Sequence, residues 1–298
     1  INADFFYERR ENIFLAPQFS EISGLPKDYT NYANMGLMEN RGFEVSAEYV
    51  KRFSKDLTVS VRGNFTFARN KVIDDGKYYA YPWQDQRGVR YGLTMGYRAM
   101  HLFSQEELDN MPDYYTQFGL DKQQLRAGDI RYEDLNDDGK ITEADMTWIG
   151  NPAMPEIVYG FGASLNYKGF DFSIGGYGVA GNQIVKSYRV NSVLNTSNYT
   201  TDMLGRWHGE GTSNFLPALN GTATNWQYVS DLYVEDGDYF RITNITLGYD
   251  FKKGFRNLPL QKLRVYVSGQ NLFTFTRYSG LDPEVSAYTG AQSWARGI

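Results

Sequence analysis

The sequence predicts an all-β fold, a segment of an antiparallel transmembrane β-barrel with long extracellular loops, and three observations predict it. The first is the stretch 57–73, LTVSVRGNFTFARNKVI. Every second residue sets Leu57, Val59, Val61, Gly63, Phe65 and Phe67 on one face and Thr58, Ser60, Arg62, Asn64, Thr66 and Ala68 on the other. A sustained period of two is a strand with one apolar and one polar side. Strands of globular domains usually run to about 5–6 residues, whereas roughly 9–11 tilted residues cross a bilayer. The second observation is that short and long connections alternate along the chain. The third is compositional: aromatics reach 16%, yet no apolar run approaches the ~18 residues of a membrane-spanning helix.

Seven strands account for the periodic segments. The first is expected over 3–16 and leads into a loop over 17–38. The second, 42–52, alternates Phe43, Val45, Ala47 and Tyr49 with Glu44, Ser46 and Glu48. The turn 53–56 joins it to 57–73, and a turn this short forces antiparallel pairing. A long excursion over 74–156 follows. The fourth strand, 157–167, sets Ile157, Tyr159, Phe161, Ala163, Leu165 and Tyr167 against Gly160, Gly162, Ser164 and Asn166. A tight turn at Lys168 and Gly169 leads to the fifth, 170–186, and a second excursion over 187–237 leads to the sixth, 238–252. After a turn near 254–260, the seventh runs over 262–278, with Leu263, Val265, Val267, Phe273 and Phe275 outward.

Outer-membrane barrels have short periplasmic turns and long extracellular loops, which places 53–56, 168–169 and 254–260 in the periplasm. A β-sandwich needs no such asymmetry. The alternation also points Arg62 and Arg264 into the lumen, where they avoid the about 2–4 kcal/mol that a cation costs on the lipid face at the midplane. Seven strands leave two open edges in hydrocarbon, where each orphaned backbone group costs several kcal/mol. The whole chain, 1–298, is therefore expected to be one partial barrel domain of a larger barrel, with a further strand after residue 284. Zero cysteines exclude disulfides and thiolate chemistry, and a net charge of −5 without a basic run excludes nucleic acid as a partner.

Four stretches carry a family resemblance: NRGFE at 40–44; GDIRYEDLNDDGKI at 128–141; IGNP at 149–152 with Pro155, Glu156 and YGF at 159–161; and GQNLF at 269–273 through GLDPE at 280–284. In this order they resemble the carboxy-terminal barrel region of the SusC/RagA-type TonB-dependent outer-membrane transporters of Bacteroidota. The resemblance implies a 22-stranded barrel, an amino-terminal plug, a TonB-contacting segment, and a SusD-like surface lipoprotein capping the mouth. It implies import of an oligomeric nutrient across the outer membrane, glycan rather than peptide, with no enzymatic step. The alternative is a surface adhesin or glycan-binding β protein without transport.

The sharpest local motif is 134–145. Asp134, Asn136 and Asp138 at positions 1, 3 and 5, Gly139 at 6, Ile141 at 8 and Asp145 at 12 match a calcium loop, with the Lys140 carbonyl at 7. The expected ion is structural Ca2+ pinning the long loop; the alternative is a turn held by its own Asp and Asn side chains. Tyr78, Tyr79, Tyr81, Trp83, Trp207 and Trp226 lie in loops, where rings suit stacking on sugar faces, contact with a partner, or packing of loop on loop. Glu107 and Asp109, on a helix-like stretch over 104–110, could meet a ligand or simply face solvent. His101 and His208 lack metal-ligand spacing, and no catalytic constellation is present.

Overall fold

The computed structural model describes residues 1–17, 21–24, 32–186, 201–219, 225, 228–251, 263–280 and 282–284. Seven long strands form one sheet: β1 (Asn2–Leu15), β2 (Ala33–Arg52), β3 (Leu57–Asp74), β4 (Ile157–Tyr167), β5 (Phe170–Ala180), β6 (Tyr239–Asp250) and β7 (Arg264–Thr276). Each pairs antiparallel with the next in chain order. The shortest has 11 residues, so every strand is long enough to cross a bilayer at a tilt. Two connections set the register. Lys168 and Gly169 both take positive φ, 46° and 94°, the two-residue turn whose twist matches that of the strands it joins. At 53–56 the Phe53 N–H donates to the Leu57 carbonyl at 2.9 Å, and the Ser54 hydroxyl accepts from the Leu57 N–H at 3.1 Å.

Antiparallel partners share a face, so the register sorts the wall into two sides. Phe5, Phe43 and Phe67 form one row across β1–β3, and Phe65 pairs with Tyr159 beside it. Leu247 pairs with Val267 and Tyr249 with Val265 on the same side. These apolar side chains stand open to their surroundings, Phe5 at 83% and Val267 at 66% exposure. Such a surface is stable only against another apolar phase, and hydrocarbon supplies it. The opposite side carries Thr, Ser, Asn, Gln, Arg and Glu, as the alternation predicts, with Arg62 and Arg264 among them.

The structure departs from the sequence expectation at three places. Strand β2 begins at Ala33 rather than at 42, because 33–41 continue the ladder with β1 and, from Leu37 on, with β3 as well. Strand β5 ends at Ala180 rather than 186: Gly181 turns the chain at φ 83°, and Gln183–Val185 pairs instead with Val234–Asp236. In β6 the register shifts between Ile242 and Asn244 and against β5 between Gly175 and Gly176. The extra residue, Thr243, donates its hydroxyl to the Gly175 carbonyl at 3.1 Å. The bulge moves the outward set from Ile245, Leu247 and Tyr249 to Ile242 and Phe240. Phe240 then stacks on Phe161 at 5.7 Å and on Phe275 at 6.2 Å between ring centres. The turn expected at 254–260 and the further strand expected after 284 lie outside the described residues.

The buried apolar core lies beyond the sheet, at the end from which the long connections arise. Tyr97, Phe103, Leu108, Met111, Tyr115, Leu125, Ile130, Tyr132, Ile141, Met203 and Tyr233 pack into one cluster, all of them in the two excursions. The strands thus form a wall, and the loops form a small body of their own on top of it.

The two faces of β7 make contrary demands on charge. Val267→Arg in the full-length protein is expected to destabilise the folded barrel by about 2–4 kcal/mol, while the neighbouring Ser268→Arg costs much less. Urea titration of both variants folded into lipid vesicles reads the difference, and equal effects would reverse the assignment of the faces.

Candidate functional site: the lumen wall and the loop body above it

Small residues on the lumen side are covered by longer neighbours from the next strand. Asn64 lies over Gly160 and Arg62 over Gly162, each so close that an added Cβ would sit 2.7 Å from the overlying polar atom. Arg264 on β7 reaches across Gly248 on β6 to Asp171 on β5, Nε to Oδ1 at 2.9 Å and Nη2 to Oδ2 at 2.6 Å. The Ser60 and Ser164 hydroxyls meet at 2.8 Å. The wall therefore presents hydroxyls, amides and a bidentate pair that neutralises itself, together with Arg62, Glu48, Glu44 and Asp4 on β1–β3.

Toward the loop end, Arg241 gathers the residues after β7. Its Nη2 donates to Asp282 at 2.6 Å and its Nε to the Thr274 hydroxyl at 3.0 Å. Glu284 joins both Arg241 and the Tyr177 hydroxyl. Buried Lys186 pairs with Glu235, which accepts from the Ser279 N–H at 2.8 Å and hydroxyl at 3.0 Å. The acidic GLDPE stretch is thus a latch folded onto the mouth of the wall. The sequence shows its carboxylates but not their partners, since Arg241 sits some forty positions earlier on another strand.

The two excursions are tied into one body. Asn225 is fully buried; its side chain donates to Asp129 at 2.8 Å and accepts from the Ile130 N–H at 2.8 Å, and its carbonyl accepts from the Tyr233 hydroxyl at 2.6 Å. Phe118 stacks on Tyr228 at 3.6 Å. Trp207 lies on Gly128, where φ is 87° and an added Cβ would be 2.3 Å from the ring. Glu107 meets His101 at 2.9 Å and pairs with Arg131. Burial opposes ionisation of the Glu107 carboxyl, but His101 and Arg131 hold it below the usual carboxylate range. That cluster strengthens the loop body at neutral pH and is lost as acid protonates Glu107. Asp109 accepts from the Gln105 amide at 2.9 Å, on a short helix (Gln105–Asp109) capped by Ser104. His208 donates from Nδ1 to the Arg206 carbonyl at 3.0 Å, apart from His101.

The acidic turn brings its ligand-type residues together. Asp134 accepts from the Gly139 N–H at 2.7 Å and Asn136 from the Asp138 N–H at 3.2 Å, while Asp138 accepts from the Lys140 N–H at 2.8 Å. Asp137 and Gly139 take φ of 57° and 75°. The Gly139 and Ile141 carbonyls accept from Thr116 and Phe118, so alternation turns the Lys140 carbonyl to the turn's own side. Asp145 is buried and accepts from the Leu135 N–H at 2.9 Å and the Thr142 N–H at 2.8 Å. Burial pushes its carboxyl up, against the pull of those amides. Among the described residues, no three His, Cys, Asp or Glu side chains stand close enough to hold a metal by themselves.

Of the loop aromatics, Tyr81 stacks on Trp83 at 4.8 Å, and Trp83 donates Nε1 to the Ala144 carbonyl at 2.8 Å, which ties it to the acidic turn. The Tyr79 hydroxyl donates to Asp75, and burial, then Asp75, raises its pKa. Tyr78 keeps 53% of its surface open. Trp226 lies outside the described residues. Most of these rings therefore pack loop on loop, with Tyr78 the one presented outward.

Asn225 is the point where the two excursions meet. Asn225→Leu is expected to cost about 1–3 kcal/mol by leaving the buried Ile130 amide without its acceptor and removing one donor to Asp129. It should speed protease cleavage within 75–156 and 187–237 of the protein while the barrel remains resistant.

No family model matches the chain. The sequence is 29% identical over 300 residues to the TonB-dependent receptor P3 of Formosa agariphila, covering 96% of this chain and 29% of that protein. It is 25% identical over 276 residues to the TonB-dependent receptor SusC of Bacteroides thetaiotaomicron, covering 89% of this chain and 26% of that protein. The chain thus spans less than a third of the length of the curated relatives it matches. The solved structure of the RagAB peptide transporter shares the fold, with a TM-score of 0.66 at 19% identity over 94% of this chain and 30% of that one. The relatives are receptors and transporters, not enzymes, which agrees with the expectation from sequence. Sequence and fold agree over nearly the whole length: the chain is outer-membrane β-barrel wall resembling that of the SusC/RagA-type TonB-dependent receptors.

Proposed function

We propose that this chain forms part of the wall and extracellular mouth of a TonB-dependent importer that carries an oligomeric nutrient across the outer membrane. A glycan is the favoured solute over a peptide. The observation that carries this reading is the run of hydroxyls and amides on the lumen face, Ser60, Ser164, Asn64 and Thr246, where Arg264 is already neutralised by Asp171 and further charges, Arg62, Glu48, Glu44 and Asp4, lie on β1–β3. Hydroxyl and amide donors and acceptors suit the hydroxyls of a sugar chain. The exposed Tyr78 ring adds a stacking surface at the mouth. A SusD-like surface lipoprotein would cover the loop body, and TonB would act through segments outside this chain. The test is growth of a deletion strain on a panel of glycans and peptides. A defect on one glycan class, restored by the gene, is expected; a defect on peptides alone reverses the choice of solute, and undiminished growth on all of them rejects the import reading.

The acidic turn is proposed to hold a structural calcium ion. Its support is the backbone: residues 4 and 6 of the loop, Asp137 and Gly139, are in the left-handed conformation. In that conformation the Asp134, Asn136 and Asp138 oxygens and the Lys140 carbonyl would supply the ligands, and Asp145, held by the Leu135 and Thr142 amides, would turn toward the ion on binding. The ion would offset the carboxylates of a turn that also anchors Trp83 and Gln84 through Ala144 and Glu143. Calorimetric titration of the chelated full-length protein with calcium should give a saturable heat that Asp134→Ala abolishes. A wild type that gives no heat overturns the assignment.

A further inference from the structure

At the long-loop end of β1–β3 the outward face changes character within three rows. The row Phe5–Phe43–Phe67 is followed by Tyr7–Arg41–Arg69 and then by Arg9–Glu39–Lys71. All nine residues share a face, because cross-strand partners do, so the cations stand directly above the aromatic row on the side that meets lipid. A cleft of about 540 Å³ opens there, lined by Tyr7, Glu39, Arg41, Arg69, Lys71 and Arg90 among others. Arg90 is delivered by a loop segment that runs beside β3, where the Val72 N–H donates to Val89 at 2.8 Å and the Gly88 N–H to Val72 at 2.7 Å.

The charges do not balance. Glu156 is shared by Arg69, Nη2 to Oε2 at 2.8 Å, and by Arg90, Nε at 3.1 Å. Glu39 lies 3.8 Å from Arg9, which also meets Glu11 at 2.8 Å. Arg41 and Lys71 are exposed and form no ion pair among the described residues. Aromatic rows mark the membrane interface of a barrel, and the long loops mark its extracellular end, so this band sits at the headgroup level of the outer leaflet. The glycolipid of that leaflet carries phosphates. Guanidinium and ammonium groups bind phosphate oxygens through short, charge-assisted hydrogen bonds, and basic pockets at headgroup level are the usual receptors for phosphorylated lipids.

We propose that this cleft seats a phosphate group of an outer-leaflet glycolipid, with Arg41 and Lys71 as its ligands and Arg69 and Arg90 held beside it by Glu156. The inference rests on the outward face meeting lipid and not on the transported solute, so it stands or falls separately from the import reading. Full-length receptor is purified from its own outer membrane, and phosphorylated glycolipid retained per barrel is quantified by mass spectrometry. The double variant Arg41→Gln/Lys71→Gln should retain several-fold less than wild type, whereas the lumen-facing Arg62→Gln retains the same amount. Heat-modifiable gel mobility reports that each barrel is folded. A second arm needs no variant: wild-type receptor in nanodiscs should melt at a higher temperature with phosphorylated lipid A than with dephosphorylated lipid A. Unchanged retention by the double variant, or equal melting with the two lipids, overturns the proposal. So does loss of a bound protein from the double variant with its lipid intact, which would give this face to a protein partner.

Discussion

In hydrocarbon a backbone N–H or C=O has no water to fall back on, so each must find its partner in the next strand. That requirement accounts for most of this structure. It demands strands of at least 11 residues, antiparallel pairing of each strand with the next in chain order, and turns as tight as Lys168–Gly169 on one side. It also explains why the bulge at Thr243 carries its own repair: the residue that breaks the ladder returns a hydroxyl to the Gly175 carbonyl. The same requirement leaves β1 and β7 as edges whose outer hydrogen-bonding rows call for further strands.

A wall that spends its apolar side chains on lipid has none left for an interior. Among the described residues the sizeable buried cluster is consequently built from the loops, where Tyr132, Tyr233, Phe103 and Ile141 are almost fully enclosed. Asn225 and Trp207 bring the second excursion onto the first, and the latch of Asp282 and Glu284 on Arg241 fastens the residues after β7 to the lumen side of β6. The described parts of the two excursions therefore form one packed body above the wall, and its outer surface is supported from below. Rings that the sequence shows as exposed candidates, Trp83 and Trp207, instead supply that support.

What was legible in the sequence was whatever repeats locally. Period two gave the strands, their faces and the inward direction of Arg62 and Arg264. The Asp-x-Asn-x-Asp-Gly spacing marked the acidic turn, and Ser104 before three acidic residues marked a short helix. The bulge was not legible, because Thr243 looks like any strand residue and only the switch from Ile245 to Ile242 betrays it. The first part of β2 was missed because 33–41 rise out of the hydrocarbon into the headgroup level and beyond, where the outward face is charged as well and alternation fades. The loop core has no period at all; its aromatics come from segments more than a hundred residues apart, and nothing in their spacing says which will meet. Arg241 with Asp282 is invisible for the same reason.

The absence of a basic run in the sequence is equally consistent with the basic cleft on the outer face. Antiparallel pairing puts residues 7, 41 and 69 side by side, and next to them 9, 39 and 71, so a concentration of charge can be spread over the chain and still be compact in space. The two faces treat their cations differently. In the lumen, Arg264 is matched by Asp171, and Arg62 lies over Gly162 with Glu48 opposite it on the next strand. On the outside, Arg41 and Lys71 are left without a carboxylate at the one depth where the membrane itself supplies negative charge. Cation placement in this wall thus follows the same logic as its apolar residues: each row is completed by the medium it faces.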